Sequence, residues 1–353
     1  MRLSTMVLAL PLLAGCAARE IPVEQRIAMA APAVTVTAKG ETVPVGTSNA
    51  DAADDPAIWR NPASPADSLI VGTDKKAGVY VYGLDGKSRD FVDAGRVNNV
   101  DLRDGVAMPG GPGVLVVASD RNDVAQAKLA LFRLDTATAK LTPLGTLAAG
   151  SGEAYGVCLY REGAVLHAFI VLKDGTINQV AIDASGAQPT GRTVRTMKLG
   201  TQSEGCAADD RTGRLYVAEE DVGLWRFDAH AAGATTPVKI AAADGRNIVA
   251  DAEGVAIAAI GSDQGYVLVS SQGDNAYAAY RLSDDSYVGR FRIVHGAVGS
   301  VEETDGIDLM LGDFGPDYPG GLFVAQDGHN DGRAQNFKLL AWRDIAAALG
   351  LND

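Results

Sequence analysis

Basic residues are in short supply: 31 Lys and Arg stand against 44 Asp and Glu among 353 residues, for a formal net charge of −13 and a pI near 4.8. Nucleic acid demands a basic surface, so a nucleic-acid partner is not expected and cations are the natural alternative. Histidine is scarce and scattered (167, 230, 295, 329), and the three cysteines hold no pair at zinc spacing. Zinc and copper centres are therefore not expected. There is no Gly-x-Ser-x-Gly elbow and no Walker A loop. Asp313-Phe314-Gly315 lacks companion kinase motifs, and Gly110-Gly111-Pro112-Gly113 precedes no helix that could cradle a phosphate. Long stretches of helical periodicity are also scarce.

Glycine, by contrast, is abundant at 41 residues. Pairs such as Asp85-Gly86, Asp174-Gly175 and Asp244-Gly245 are hairpin signals, and the composition points to an all-β domain. An acid–Gly–apolar unit recurs at Asp104, Glu204, Glu253 and Asp305, with Tyr155 in place of the acid once and a looser match at Asp55. Successive units lie 49 to 52 residues apart. Each is followed by a short apolar strand (69–72, 114–118, 167–172, 215–218, 266–270, 321–325), often with an aromatic-bearing strand beyond it. Three or four strands per fifty residues describe a blade, and six units predict a six-bladed β-propeller. A pair of sandwich domains would leave the fixed period unexplained.

The first residues read as a leader. Arg2 precedes an apolar run over 6–13 that is too short for a permanent membrane span. Leu13-Ala14-Gly15-Cys16 resembles the lipobox of bacterial lipoproteins. The expected organisation is a signal peptide over 1–15, a lipidated Cys16 with a tether to residue 40, and a propeller over 41–353. The protein is expected to be exported and held in the cell envelope (periplasm or outer membrane) with the lipid on Cys16 as its membrane contact, or to be secreted if the lipobox is not used. Cys158 and Cys206 could then form a disulfide or remain two buried thiols.

In a propeller, equivalent positions lie at equivalent radii, so Asp55, Asp104, Glu204, Glu253 and Asp305 are predicted to converge on one channel mouth. Crowded carboxylates push each other's pKa values up. A hard cation such as calcium, with six to eight oxygen ligands, relieves this. Lys75, Arg121 and Lys173 follow the second strands of the first three units, and Glu220 ends the matching strand of the fourth. One side of the mouth is thus basic and the other acidic, which suits a polyphosphorylated substrate. In the acid-rich stretch Ser203 to Asp221, Glu204 and Glu220 reach the mouth. Asp209, Asp210 and Arg211 form the turn on the opposite rim.

From about Ala50 to Ala346 the chain resembles the β-propeller phytases, an alkaline, calcium-dependent class. The carrying segments are Asp51-Ala-Ala-Asp-Asp-Pro-Ala-Ile-Trp59, Thr73-Asp-Lys-Lys76, Val97-Asn-Asn-Val-Asp-Leu-Arg103, Ala118-Ser-Asp-Arg121, Ser203-Glu-Gly-Cys-Ala-Ala-Asp-Asp210, Ala218-Glu-Glu-Asp221, Ala250-Asp-Ala-Glu-Gly254, Ser270-Ser-Gln-Gly-Asp-Asn-Ala-Tyr277, Thr304-Asp-Gly-Ile-Asp308, Gly321-Leu-Phe-Val-Ala-Gln-Asp-Gly328 and Gln335-Asn-Phe-Lys338. The resemblance implies calcium ligands at the active centre from Asp54, Tyr155, Glu204, Glu220, Asp251, Glu253, Gln272 and Asp305. It implies structural calcium sites at Asp55 with the Val100 carbonyl, and at Asp327. It places Lys75, Arg121 and Lys173 on phosphate. Asp54 thereby replaces Asp55 in the ring, and Asp104 has no role. The activity implied is calcium-dependent hydrolysis of myo-inositol hexakisphosphate without a phosphoenzyme, by a monomer acting on calcium-phytate. Lys75, Arg121, Tyr155, Lys173 and Glu204 would serve catalysis. Three departures stand out: a shortened segment over 296–303, Asp174 where the family has Glu, and a variable segment over 120–128. A calcium-dependent propeller lactonase would share the central cation but not need the three basic residues. A non-catalytic surface propeller would not need the carboxylates.

Overall fold

A computed structural model describes residues 21–351. Six antiparallel sheets span 53–93, 97–151, 154–198, 203–242, 252–294 and 307–341. Each runs in chain order from an inner strand outward. The inner strands are Ala53–Trp59, Val97–Val106, Ala154–Glu162, Ser203–Asp209, Ala252–Ile260 and Ile307–Leu311. They touch in cyclic order, and the last packs back on the first, so the sheets are the blades of a closed six-bladed propeller.

Six apolar cores lie between neighbouring blades. Phe169 and Val171 of the third blade, for example, meet Leu215, Val217 and Phe227 of the fourth. Second strands such as Leu69–Asp74 are buried on both faces and therefore read as unbroken apolar runs. Outermost strands such as Ser88–Asp93 keep one face in solvent and alternate with polar residues, which is why the fourth strand of each unit escapes a search for apolar runs.

The expected tether over 16–40 does not hold for its described part. Helix α1 (Val23–Met29) and the strand Val34–Thr37 lie there. That strand pairs in parallel with Tyr287–Val294 as a fifth strand of the fifth blade. Gly40–Glu41 then pairs with Asn336–Ala341 as the outermost strand of the sixth. The segment is alternately exposed and short, so sequence alone shows no core face. Helix α2 (Trp342–Leu349) ends the fold, with Trp342, Ile345 and Ala346 buried in the core between the last two blades. The expected leader over 1–15 and Cys16 lie outside the described residues. Among those described, no helix is long and apolar enough to cross a membrane.

Candidate active site

Inner strands begin with a bulge. The ladder register breaks between Ala53 and Pro56, Val97 and Val100, Ala154 and Gly156, Ser203 and Cys206, and Ala252 and Val255. A bulge re-aims side chains out of the alternating pattern, and these bulges hold Asp54, Asn98, Tyr155, Glu204 and Glu253. Asp305 comes just before the sixth inner strand. The glycine of the repeat has its own reason. A Cβ on Gly156 would overlap the Glu204 carbonyl, one on Gly205 the Glu253 carbonyl, one on Gly254 the Asp305 carbonyl and one on Gly306 the Asp54 carbonyl. Each of these four blades passes its neighbour's backbone too closely for a side chain.

The second blade breaks the acid–Gly pattern. Asp104 stands at the far end of its strand, where Trp59 Nε1 donates to it at 3.3 Å, and Asn98 takes the mouth position instead. Asn98 was missed because the acid–Gly pattern points to Asp104-Gly105.

The residues after the second strands form a second ring. The backbone N–H of Lys75, Arg121, Lys173, Glu220 and Gln272 donates to the carbonyl of Ala52, Arg96, Glu153, Gln202 and Asp251 respectively. Each acceptor precedes its mouth residue by two. One backbone bond per blade therefore fixes a basic, acidic or amide side chain beside the mouth.

Electrostatically the mouth has two halves. Glu204, Glu220 and Glu253 bring carboxylate oxygens within 4.8 Å of one another, all buried. Burial, then the neighbouring carboxylates, pushes Glu204 and Glu253 well above the ordinary carboxylate range. Glu220 is raised by burial, opposed by the Gln202 hydrogen bond and supported by Asp251. Burial pushes Asp305 up to about 7 against the pull of Lys75. The Tyr155 phenol is raised by burial and by Glu204, Glu253 and Glu220. On the other half, Lys75 Nζ lies 2.8 Å from Asp51, 3.0 Å from Asp54 and 2.7 Å from Asp305. Burial alone would lower this ammonium, but Asp54, Asp305, Glu204 and Asp51 outweigh it and raise it. Lys173 Nζ stands 5.1 Å and the Arg121 guanidinium 5.7 Å from the Tyr155 ring centre. Gln272 Nε2 donates to Asp305 Oδ1 at 2.7 Å. Asp251 carries charge beside Glu220 and Glu253.

A family model described as Phytase matches residues 1–353. The chain belongs to the phytase family. A relative named 3-phytase, from Bacillus subtilis (strain 168), is 39% identical over 328 residues, 89% of this chain and 85% of that protein. A chain of a solved structure described as "Crystal Structure of Mitotic Checkpoint Complex" matches at a TM-score of 0.47 and 16% identity, covering 97% of this chain and 87% of that one. At that level the likeness bears on nothing further.

In this phytase-family chain the carboxylate half of the mouth fits a hard cation. Glu253 Oε2 is buried with no hydrogen-bond partner, and an unpaired buried carboxylate is costly unless a cation meets it. Asp55 and Val100 also come together, with the Val100 N–H donating to Asp55 Oδ2 at 3.0 Å. They line a cavity of about 580 Å³ along with Asp101, Asp308 and Arg103, and Arg103 Nη1 pairs with Asp101 at 2.9 Å. Asp327 is held differently. Its Oδ1 accepts the N–H groups of Glu302, His329 and Asn330 at 3.3, 3.2 and 3.0 Å. Its Oδ2 faces the Lys338 ammonium at 3.0 Å. Glu41 Oε2 and the Asn330 and Asn336 Oδ1 atoms share that ammonium. Cys158 and Cys206 form a disulfide between the third and fourth inner strands, with Cα atoms 5.7 Å apart.

Proposed function

We propose that the chain hydrolyses phosphate monoesters of myo-inositol hexakisphosphate, releasing inorganic phosphate, and that it does so with calcium bound by Asp54, Tyr155, Glu204, Glu220, Asp251, Glu253, Gln272 and Asp305. The observation that carries the reading is that Lys75, Arg121 and Lys173 share one mouth with the Glu204–Glu220–Glu253 cluster. Bound there, calcium supplies charge neutralisation and an acidified water. The chain's own residues do the rest. Lys75, Arg121 and Lys173 hold the non-bridging phosphate oxygens and offset the charge that grows on them in the transition state. The Tyr155 ring contacts both Arg121 and Lys173. Several cations in one mouth favour a substrate with adjacent phosphates over a simple monoester. The membership of the phytase family and the 3-phytase relative support the substrate class.

Phosphate release from calcium-phytate near neutral pH, with and without a chelator, tests this. Release that stops in chelator and returns with calcium is expected. Full activity in chelator would sink the calcium requirement. Lactone hydrolysis without phosphate release would favour a lactonase. We further propose export and a lipid anchor on Cys16. Labelling of the wild type but not of Cys16→Ala by a radioactive fatty acid is expected, and an unlabelled wild type removes the anchor.

A further inference from the structure

Five blades bring an acid or a phenol to the mouth: Asp54, Tyr155, Glu204, Glu253 and Asp305. The second blade brings two amides, Asn98 and Asn99, both buried. Asn98 Nδ2 lies 3.0 Å from Asp54 Oδ2 and 2.7 Å from Glu204 Oε1. Its Oδ1 accepts a hydrogen bond from Arg121 Nη1. Its remaining contact is the neighbouring amide, Asn99 Oδ1 at 2.9 Å. Turning the Asn99 amide by half a rotation lets its nitrogen donate to Glu204 Oε1 at 2.9 Å and to the Tyr155 carbonyl at 3.1 Å. On its far side Arg121 Nη2 pairs with Glu153 at 3.2 Å. One fully buried side chain thus touches both halves of the mouth.

We infer that Asn98 is a positioning residue that sets the cation-holding carboxylates of Glu204 and Asp54 against the phosphate-holding guanidinium of Arg121. The inference rests on the function proposed above. An amide is the group the position requires. Its two N–H donors serve two carboxylates, and its carbonyl serves a guanidinium. A carboxylate would still hold Arg121 but would repel Asp54 and Glu204. An apolar side chain would leave both carboxylates and the guanidinium short of a buried partner. Groups that orient ligands from behind are worth about 10–100-fold in metal affinity or activity.

The experiment compares wild type, Asn98→Ala, Arg121→Ala and the double variant. The readouts are kcat and KM on calcium-phytate, calcium affinity by titration calorimetry, and the unfolding midpoint in chelator. Asn98→Ala is expected to lower kcat by about 10–100-fold and to weaken calcium binding by at least about 10-fold. The double variant is expected to lose little more kcat than Arg121→Ala alone, because the two side chains act as one unit. Losses that multiply, or a wild-type calcium affinity in Asn98→Ala, overturn the inference. An inactive wild type defeats the proposed function instead, and the calcium titration still decides the role of Asn98. Should Asn98→Ala fail to fold, Asn98→Asp takes its place. It is the same size, keeps the acceptor for Arg121 and loses both donors, so the same drop in kcat is expected and an undiminished kcat refutes the role.

Discussion

At the scale of single residues, the repeat joins two requirements that need not have coincided. The acid supplies the mouth, and the glycine after it lets the next blade's carbonyl pass. Gly156 shows the second most sharply, since any Cβ there collides with the Glu204 carbonyl, a backbone atom that cannot rotate away. Gly156→Ala is expected to destabilise the fold by about 1–3 kcal/mol and to reduce activity by displacing Glu204. Equilibrium denaturation measures this, and an unchanged midpoint would show that the inner strands have slack. Lys75, Arg121 and Lys173 were legible for the same reason as the acids: they recur at one place in the unit. Asn98 was not, because an amide at that place signals nothing until its neighbours from other blades are known.

At the scale of the element, the hairpin of Ser203–Asp209 and Arg214–Glu219 divides its charge by position. Glu204 and Glu220 stand at the mouth end, while Asp209, Asp210 and Arg211 stand at the other rim. Asp209 is buried and accepts from the Arg211 backbone N–H at 3.0 Å and from Arg211 Nη2 at 2.8 Å. Burial works to raise its pKa, and the Arg211 bonds outweigh it and hold it below the usual value. A depressed folded-state pKa contributes stability above the unfolded value, near 3.9, that is lost as pH falls through the folded value. Asp209→Asn is therefore expected to cost about 1–3 kcal/mol at neutral pH, with the gap to wild type closing in acid. Chemical denaturation at pH 7 and at successively lower pH checks this, and a gap that widens in acid would contradict it. Apolar second strands announced the blades, whereas the half-exposed outer strands carried too little contrast.

At the scale of the whole molecule, the ring must be closed by chain segments far apart in sequence. Gly40–Glu41 joins the last blade, and Lys338 fastens the seam. This lysine is fully buried, with Glu41 Oε2 at 2.6 Å, Asn330 and Asn336 Oδ1 each at 2.9 Å, and Asp327 Oδ2 at 3.0 Å. Lys338→Met leaves the buried Asp327 without its cation, while Glu41 keeps Arg333 at 3.6 Å, and removing one partner of a buried ion network costs about 3–5 kcal/mol. A fall of that size in unfolding free energy is expected in calorimetry or denaturant titration. A variant as stable as wild type would show that the seam does not depend on this ammonium.

From the sequence by itself came the six-fold period, the all-β class, the acid and glycine of each unit, and the basic residues after the second strands. All of these repeat locally, and local repetition is visible in one dimension. The tertiary structure decided the rest: Asn98 at the mouth position of the second blade, the Cys158–Cys206 bond, the strands drawn from a supposed tether, and the ammonium beside Asp327. Each depends on which residues from different blades, or from opposite ends of the chain, come within a few ångströms once the ring closes.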